Sequence, residues 1–415
     1  MDRKIPGWPG IFWHILAKTR RGRYNGKKQE GDLAMLFRFD ETLIPLLEYK
    51  VAGELPDLFT MEDGTALTDR SQWEARRKEL YRTAVELQYG TMPPEPEFLE
   101  VEQLDEDWNI RSYRIITGTR ACPVRFTMRI VRPAEQKKYP AIVDGDLCWR
   151  YWFDKDFIRA ATDSGVMLVL FNRTELVPDV KGAGRNGPLY RTYPDHTFGA
   201  IGAWAWGYSR CVDALEKLDI ALMDDIAFTG HSRGGKTALL AGVLDTRAAV
   251  VNPNCSGAGG AGCYRVDIKA VKENGETHRS EDLSDLIRKF DFWFGPELAG
   301  YQGRETELPF DEHFLKALVA PRVLLQTEAA SDIWANGLGT WQTSLATKEA
   351  YKFLGCEENI LLYFRRGYHE HHIEDLKRLV RIMEQRRAGL PFEEGSFKLP
   401  MAHQEPIFSW HCPEK

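Results

Sequence analysis

The segment Gly230-His231-Ser232-Arg233-Gly234-Gly235-Lys236-Thr237 fits two chemistries at once. Gly230 through Gly234 reads G-x-S-x-G, the nucleophile elbow, in which a serine hydroxyl is presented on a sharp strand-to-helix turn. Gly230 through Thr237 also reads G-x-x-x-x-G-K-T, a phosphate-cradling P-loop. Both need a strand before and a helix after, and Ile226-Ala227-Phe228-Thr229 and Ala238-Leu239-Leu240 supply these for either. The elbow makes a further demand. A serine is a weak nucleophile until a base takes its proton, so an acid and a histidine should follow in chain order, each just beyond a later strand. Asp332 follows Val323-Leu324-Leu325-Gln326, and His369 follows the apolar run Ile360 to Phe364. The P-loop reading would use Asp144 or Asp146 for magnesium and leaves Asp332 and His369 without a purpose. The hydrolytic reading is therefore preferred.

Such side chains have to be held by a particular succession of elements. Short apolar strands at Ala141 to Val143, Val166 to Phe171, Ile226 to Phe228, Ala249 to Val251, Val323 to Leu325 and Ile360 to Phe364 alternate with helical patterns at Ala203 to Leu218, Lys236 to Leu244 and Leu376 to Met383. This alternation predicts an α/β protein with a doubly wound, mainly parallel sheet covered on both faces. Ahead of it, Ile110 to Thr117 and Val124 to Val131 alternate about a turn near Gly118, which predicts an antiparallel hairpin. A hairpin followed by parallel strands is the pattern of an α/β-hydrolase fold. Gln72 to Tyr89 predicts an amphipathic helix closed by Gly90 and Pro93-Pro94. Between Ser256 and Ala320 the alternation lapses into a Gly- and aromatic-rich stretch containing Phe292-Trp293-Phe294-Gly295-Pro296, read as a substrate-binding insertion before the acid-bearing strand. The domain reading is a basic N-terminal extension over residues 1–54, a catalytic domain over 55–390 with its insertion at 256–320, and a tail over 391–415.

With 415 residues, 43% of them hydrophobic and 12% aromatic, the chain can bury a large core. A net charge of -6 and a pI near 6.0 lack the basic footprint of nucleic-acid binders, so no nucleic-acid partner is expected. Seven cysteines with no C-x-x-C pair imply neither a zinc site nor a disulfide framework, and fit a reducing compartment. No run approaches the roughly 18 apolar residues of a membrane span. Ile11 to Ala17, interrupted by His14 and followed by Lys18, Arg20, Arg21 and Arg23, does not read as a signal peptide. The expectation is a cytoplasmic protein, unless a leader has been removed. His369-Glu370-His371-His372 lacks the H-E-x-x-H spacing that sets two histidines on one helical face, so neither metal nor cofactor is expected. Nothing in the composition sets an oligomeric state.

Beyond the elbow the chain resembles the glucuronoyl esterases and their bacterial relatives, whose nucleophile segment is Gly-(Cys or His)-Ser-Arg-x-Gly-Lys. The resemblance runs through Trp73-Glu74-Ala75-Arg76-Arg77, Tyr89-Gly90, Ala203-Trp204-Ala205-Trp206-Gly207, Ser256-Gly257-Ala258-Gly259-Gly260, Phe292-Trp293-Phe294, Leu308 to His313 and Ala320-Pro321-Arg322. It implies a serine esterase acting through an acyl-enzyme on a carbohydrate-linked ester, first of all a glucuronoyl ester of a small molecule or an oligosaccharide. It also implies roles: Ser232 attacks, His369 serves as base and then acid, Arg233 binds the oxyanion, and Lys236 contacts sugar hydroxyls. Trp334 and Glu281 are the implied pocket residues, with Glu276 the alternative to Glu281. Fungal members carry a glutamate directly before the Ser-Gly-x-Gly-Gly stretch, where this chain has Cys255. Asp332 is then the expected acid, with Asp311 a weaker candidate. Trp204 and Trp206 read as core, and His231 and His196 as polar residues near the cleft. The alternatives are an acetyl xylan or short-chain acyl esterase on the same scaffold, and a carbohydrate-binding homologue without catalysis.

Overall fold

The computed structural model describes residues 44–413 apart from 45, 134, 136, 272–274 and 403; most of the predicted N-terminal extension, including Ile11 to Ala17, lies outside the described residues. Its strands are β1 (Leu46–Val51), β2 (Phe98–Asp107), β3 (Ile110–Gly118), β4 (Pro123–Val131), β5 (Tyr139–Asp144), β6 (Met167–Phe171), β7 (Ala221–His231), β8 (Ala248–Asn254), β9 (Val266–Val271), β10 (Thr277–Arg279), β11 (Val323–Ala329) and β12 (Ile360–Arg365). The larger helices are α1 (Trp73–Leu80), α2 (Lys155–Thr162), α3 (Ala200–Leu218), α4 (Arg233–Leu244), α5 (Leu283–Phe290), α6 (Glu312–Ala317), α7 (Gly337–Leu354) and α8 (Ile373–Ala388). The predicted helix from Gln72 to Tyr89 is found as α1, prolonged by a π turn over Tyr81–Glu86 and a last turn at Leu87–Tyr89. Among the described residues no helix is long and apolar enough to cross a membrane.

Nine strands form the central sheet in the order β12-β11-β8-β7-β5-β6-β4-β3-β2. From β12 to β6 every pairing is parallel; β4, β3 and β2 then continue antiparallel. Successive residues of a strand point to opposite faces, and here both faces are apolar. Ile142, Leu168, Leu170, Ala227, Val250 and Leu325 face α2 and α8, whereas Ala141, Val143, Val169, Phe171, Phe228 and Leu324 join the core formed with α1, α3, α4, α6 and α7. Burial of both faces explains why these strands read as short apolar runs rather than as alternation. The predicted α/β-hydrolase architecture is the one found, hairpin and parallel sheet included.

A smaller sheet, β1-β9-β10, lies within and beside the insertion. Its outer strand β1 comes from the segment assigned by sequence to the N-terminal extension, and pairs antiparallel with β9. The tail also folds back: Trp410 Nε1 donates to the Leu55 carbonyl at 2.8 Å, and the Phe397 N–H donates to the Leu362 carbonyl beside β12 at 2.7 Å.

Parallel strands place all their carboxyl ends on one edge, and that edge is where ligands bind in such sheets. Asp146 follows β5, Arg173 follows β6, Ser232 follows β7, Cys255 follows β8, Asp332 follows β11 and His369 follows β12. Residues far apart in the chain are thereby gathered along one rim.

Candidate active site

At the end of β7 the chain turns straight into α4, and Ser232 occupies the turn with φ 57° and ψ -119°. A side chain held at positive φ costs about 1–3 kcal/mol, and such strain concentrates at functional positions. The turn closes because Gly230 and Gly234 have no side chain. A Cβ on Gly230 would run into the Gly234 carbonyl, and one on Gly234 into the Asp146 carboxylate. The Ser232 N–H donates to the Asn254 carbonyl at 2.9 Å, which ties the elbow to β8.

The three residues predicted from chain order meet here. His369 Nε2 is 2.9 Å from Ser232 Oγ, and His369 Nδ1 is 2.6 Å from Asp332 Oδ2. A buried carboxylate can only accept, so Nδ1 carries the proton and Nε2 presents its lone pair to the serine hydroxyl. Asp332 is itself fixed: its side chain is 1% exposed, and Oδ1 accepts the Ala335 N–H at 3.1 Å. Hydroxyl, imidazole and carboxylate in series are an arrangement able to deprotonate the serine and hold the resulting imidazolium.

Arg233 lies beside the serine with Nη1 donating to Asp179 Oδ2 at 2.9 Å and its guanidinium 4.6 Å from the Trp293 ring centroid. Lys236 is inside. Its ammonium donates to the Ser256 carbonyl at 2.6 Å, to the Ala258 carbonyl, and to Glu281 Oε2 at 2.8 Å. An ammonium has three protons, and all are taken by protein. Lys236, expected from the resemblance to contact sugar hydroxyls, is buried here with its protons engaged, which also leaves it unsuited to cradle phosphate. Burial raises the Glu281 carboxyl above its ordinary range while the Lys236 charge pulls it back. The Glu281 N–H donates to the Trp334 carbonyl at 2.9 Å, so these two predicted pocket residues are neighbours. Glu276, the alternative, is exposed beside β10.

Other expectations are redistributed. Asp311 caps α6 and pairs with Arg265 at 3.0 Å, so it holds the insertion together. Trp204 and Trp206 are core residues whose indole N–H groups donate to the Val177 and Pro94 carbonyls. His196 is half-buried in a groove with Arg185 and Phe292. The cluster His369-Glu370-His371-His372 scatters: His369 faces Ser232, His371 is buried against Tyr151 and Phe157, and His372 caps α8. Sequence reasoning missed Asp179, Asn254 and Arg173. A cation at the first turn of a helix opposes the helix dipole, and that signal at Arg233 called for a nearby acid that was not sought.

His231 donates Nδ1–H to Asn254 Oδ1 at 2.6 Å, since the Asn254 amide nitrogen is committed to Thr327. Its ring lies 4.7 Å from that of His369 and 5.9 Å from that of His371. Burial keeps His371 neutral down to about 3. An unfolded histidine protonates near pH 6.5. Below that pH the unfolded chain binds a proton that the folded ring refuses, so His371 withdraws stability as pH falls from about 6.5 towards 3, by up to about 1.4 kcal/mol per pH unit. His371→Phe should therefore be more stable than the parent at pH 5 and lose that advantage above pH 7. Urea midpoints across this range check it, and an advantage independent of pH would show the ring is not held neutral.

A family model described as fungal glucuronyl esterase matches residues 117–355. The 4-O-methyl-glucuronoyl methylesterase of Podospora anserina is 31% identical over 74% of this chain, a stretch that spans 62% of the relative's own length. A second such protein, 4-O-methyl-glucuronoyl methylesterase 1 of Wolfiporia cocos, is 30% identical over 73% of each chain. Among solved structures, a carbohydrate esterase family 15 glucuronoyl esterase from Caldicellulosiruptor kristjansonii superposes with a TM-score of 0.73 at 28% identity, covering 86% of this chain and 96% of that one. The match to these fungal glucuronoyl methylesterases overturns the expectation of a cytoplasmic protein. The cysteine count misled, because four of the seven free cysteines, Cys211, Cys255, Cys263 and Cys356, are buried and serve as small apolar core residues, which says little about the compartment.

Proposed function

The chain belongs to the glucuronoyl esterase family, and from that premise we propose that it is a serine carboxylic ester hydrolase that cleaves glucuronoyl esters through an acyl-enzyme. The observation that carries the reading is the hydrogen-bonded series Ser232, His369, Asp332 at 2.9 and 2.6 Å. Ser232 Oγ attacks the ester carbonyl as His369 Nε2 takes its proton; Asp332 steadies the imidazolium; the proton then passes to the departing alcohol, and water repeats the sequence on the acyl-enzyme. Arg233 supplies a cationic donor for the tetrahedral oxyanion. Glu281 and Trp334 offer a sugar a carboxylate acceptor and an aromatic face. Lys236, with its protons already committed, acts by holding Glu281 in place rather than by touching the substrate.

A site that hydrogen-bonds a substrate strongly rejects analogues lacking those groups. The expected result is a kcat/KM for benzyl glucuronate at least about a hundredfold above that for nitrophenyl acetate. Cleavage of nitrophenyl acetate or acetylated xylan with no turnover of the uronate ester would replace this reading by that of a short-chain acyl esterase.

A further inference from the structure

Arg233 is held from two directions. Its Nη1 donates to Asp179 Oδ2 at 2.9 Å, and the other carboxylate oxygen accepts the indole N–H of Trp293 at 3.0 Å. The guanidinium also lies 4.6 Å from the centroid of the same indole and 5.3 Å from that of Phe290, which stacks parallel to Trp293 at 3.9 Å. The hydrogen bond fixes the direction of the guanidinium, while the two rings beside it restrict its swing. Asp179 also faces Arg173 at 3.6 Å, so its charge is divided between two guanidinium groups. Arg173 in turn pairs with Asp146, and the other oxygen of Asp146 accepts both the Tyr151 hydroxyl and, at 2.9 Å, the N–H of His231, one residue before the nucleophile. Amid these contacts Nε of Arg233 is buried and has no hydrogen-bond partner among the described residues. The side chain as a whole is 26% exposed, so the rest of the guanidinium is open beside the nucleophile.

We propose that Asp179 and Trp293 are positioning residues that clamp Arg233 while leaving part of its guanidinium exposed, so that the developing oxyanion meets a donor already oriented. The inference rests on Arg233 being the oxyanion residue. It assigns the Trp293 indole a double task, as donor to the counter-ion and as platform for the cation, and it explains how a cation is kept at the unfavourable end of α4.

The test is a kinetic cycle on a soluble glucuronate ester, with thermal melting of each variant as the control for folding. Arg233→Ala should lower kcat about 10²–10³-fold, the loss seen when one oxyanion donor is removed. Asp179→Ala should lower kcat at least about tenfold with KM moved less than about threefold, because orientation in the transition state is lost rather than substrate binding. Asp179→Asn keeps an acceptor for Nη1 and should recover part of that loss. In the Arg233→Ala background, Asp179→Ala should change kcat by less than about twofold, since coupled residues do not add. Native kcat in Arg233→Ala would remove the oxyanion reading itself. Impaired Arg233→Ala alongside native kcat in both Asp179→Ala and Trp293→Phe would overturn the clamp alone, as would an equal Asp179→Ala loss in both backgrounds. Should Asp179→Ala fail to fold, Asp179→Asn and Trp293→Phe carry the same cycle.

Discussion

Ser232→Ala is expected to lower kcat on a glucuronate ester by about six orders of magnitude while leaving the protein folded. The reason lies in how the three groups share one step. Without Oγ there is no atom to form the acyl-enzyme, and His369 Nε2, now 2.9 Å from where the hydroxyl stood, has no proton to take. What survives is the binding and oxyanion machinery, which on its own still gives about 10³–10⁴-fold over water. The fold should tolerate the change, because alanine meets the same positive-φ cost at this position as serine does. Since the groups act as a unit, His369→Ala should cost nearly as much, and the double variant no more than either. Fluorophosphonate labelling gives an independent reading: the native protein should be modified and Ser232→Ala should not. Retention of more than about 1% of native turnover by Ser232→Ala would place the nucleophile elsewhere.

Chain order made this constellation legible. An elbow after one apolar run, an acid after a later one and a histidine after a later one again is a one-dimensional signal, because parallel strands convert position after a strand into position on a common rim. The strands buried on both faces were legible for a related reason, their apolar runs being short and bounded. β1, β9 and β10 were not, since LLEYKV, VDIKAV and THR mix charge with apolar residues and gain their meaning only by pairing with each other. The surroundings of Lys236 were illegible for a similar cause. Nothing local to the first turn of α4 says that Glu281, within the insertion, will close over it. Asp179 is the clearest case: it lies in a loop with no periodicity, and its purpose comes from an arginine 54 residues on.

Asp332→Asn is the second large effect expected, a fall in kcat of about 10⁴ with little change in KM. The amide can donate a proton where the carboxylate could only accept, and it then favours the tautomer of His369 that carries its proton on Nε2, facing Ser232 and unable to act as base. Two nearby groups could be thought to stand in. Cys255 occupies the position of the glutamate in fungal relatives, but it is buried and burial pushes its thiol well above the ordinary range, so it supplies no anion. Glu328, on β11 just before Asp332, is likewise driven well above the carboxylate range by burial, with Oε1 engaged by Thr340 at 3.1 Å. Neither can hold an imidazolium. Cys255→Ala should therefore keep kcat within about threefold of native, whereas Asp332→Asn should lose it even though the fold, read by melting, is retained. The reverse ranking, with Cys255→Ala crippled and Asp332→Asn near native, would mean that the acid has stayed at the end of β8 and that the 2.6 Å contact to His369 is only structural.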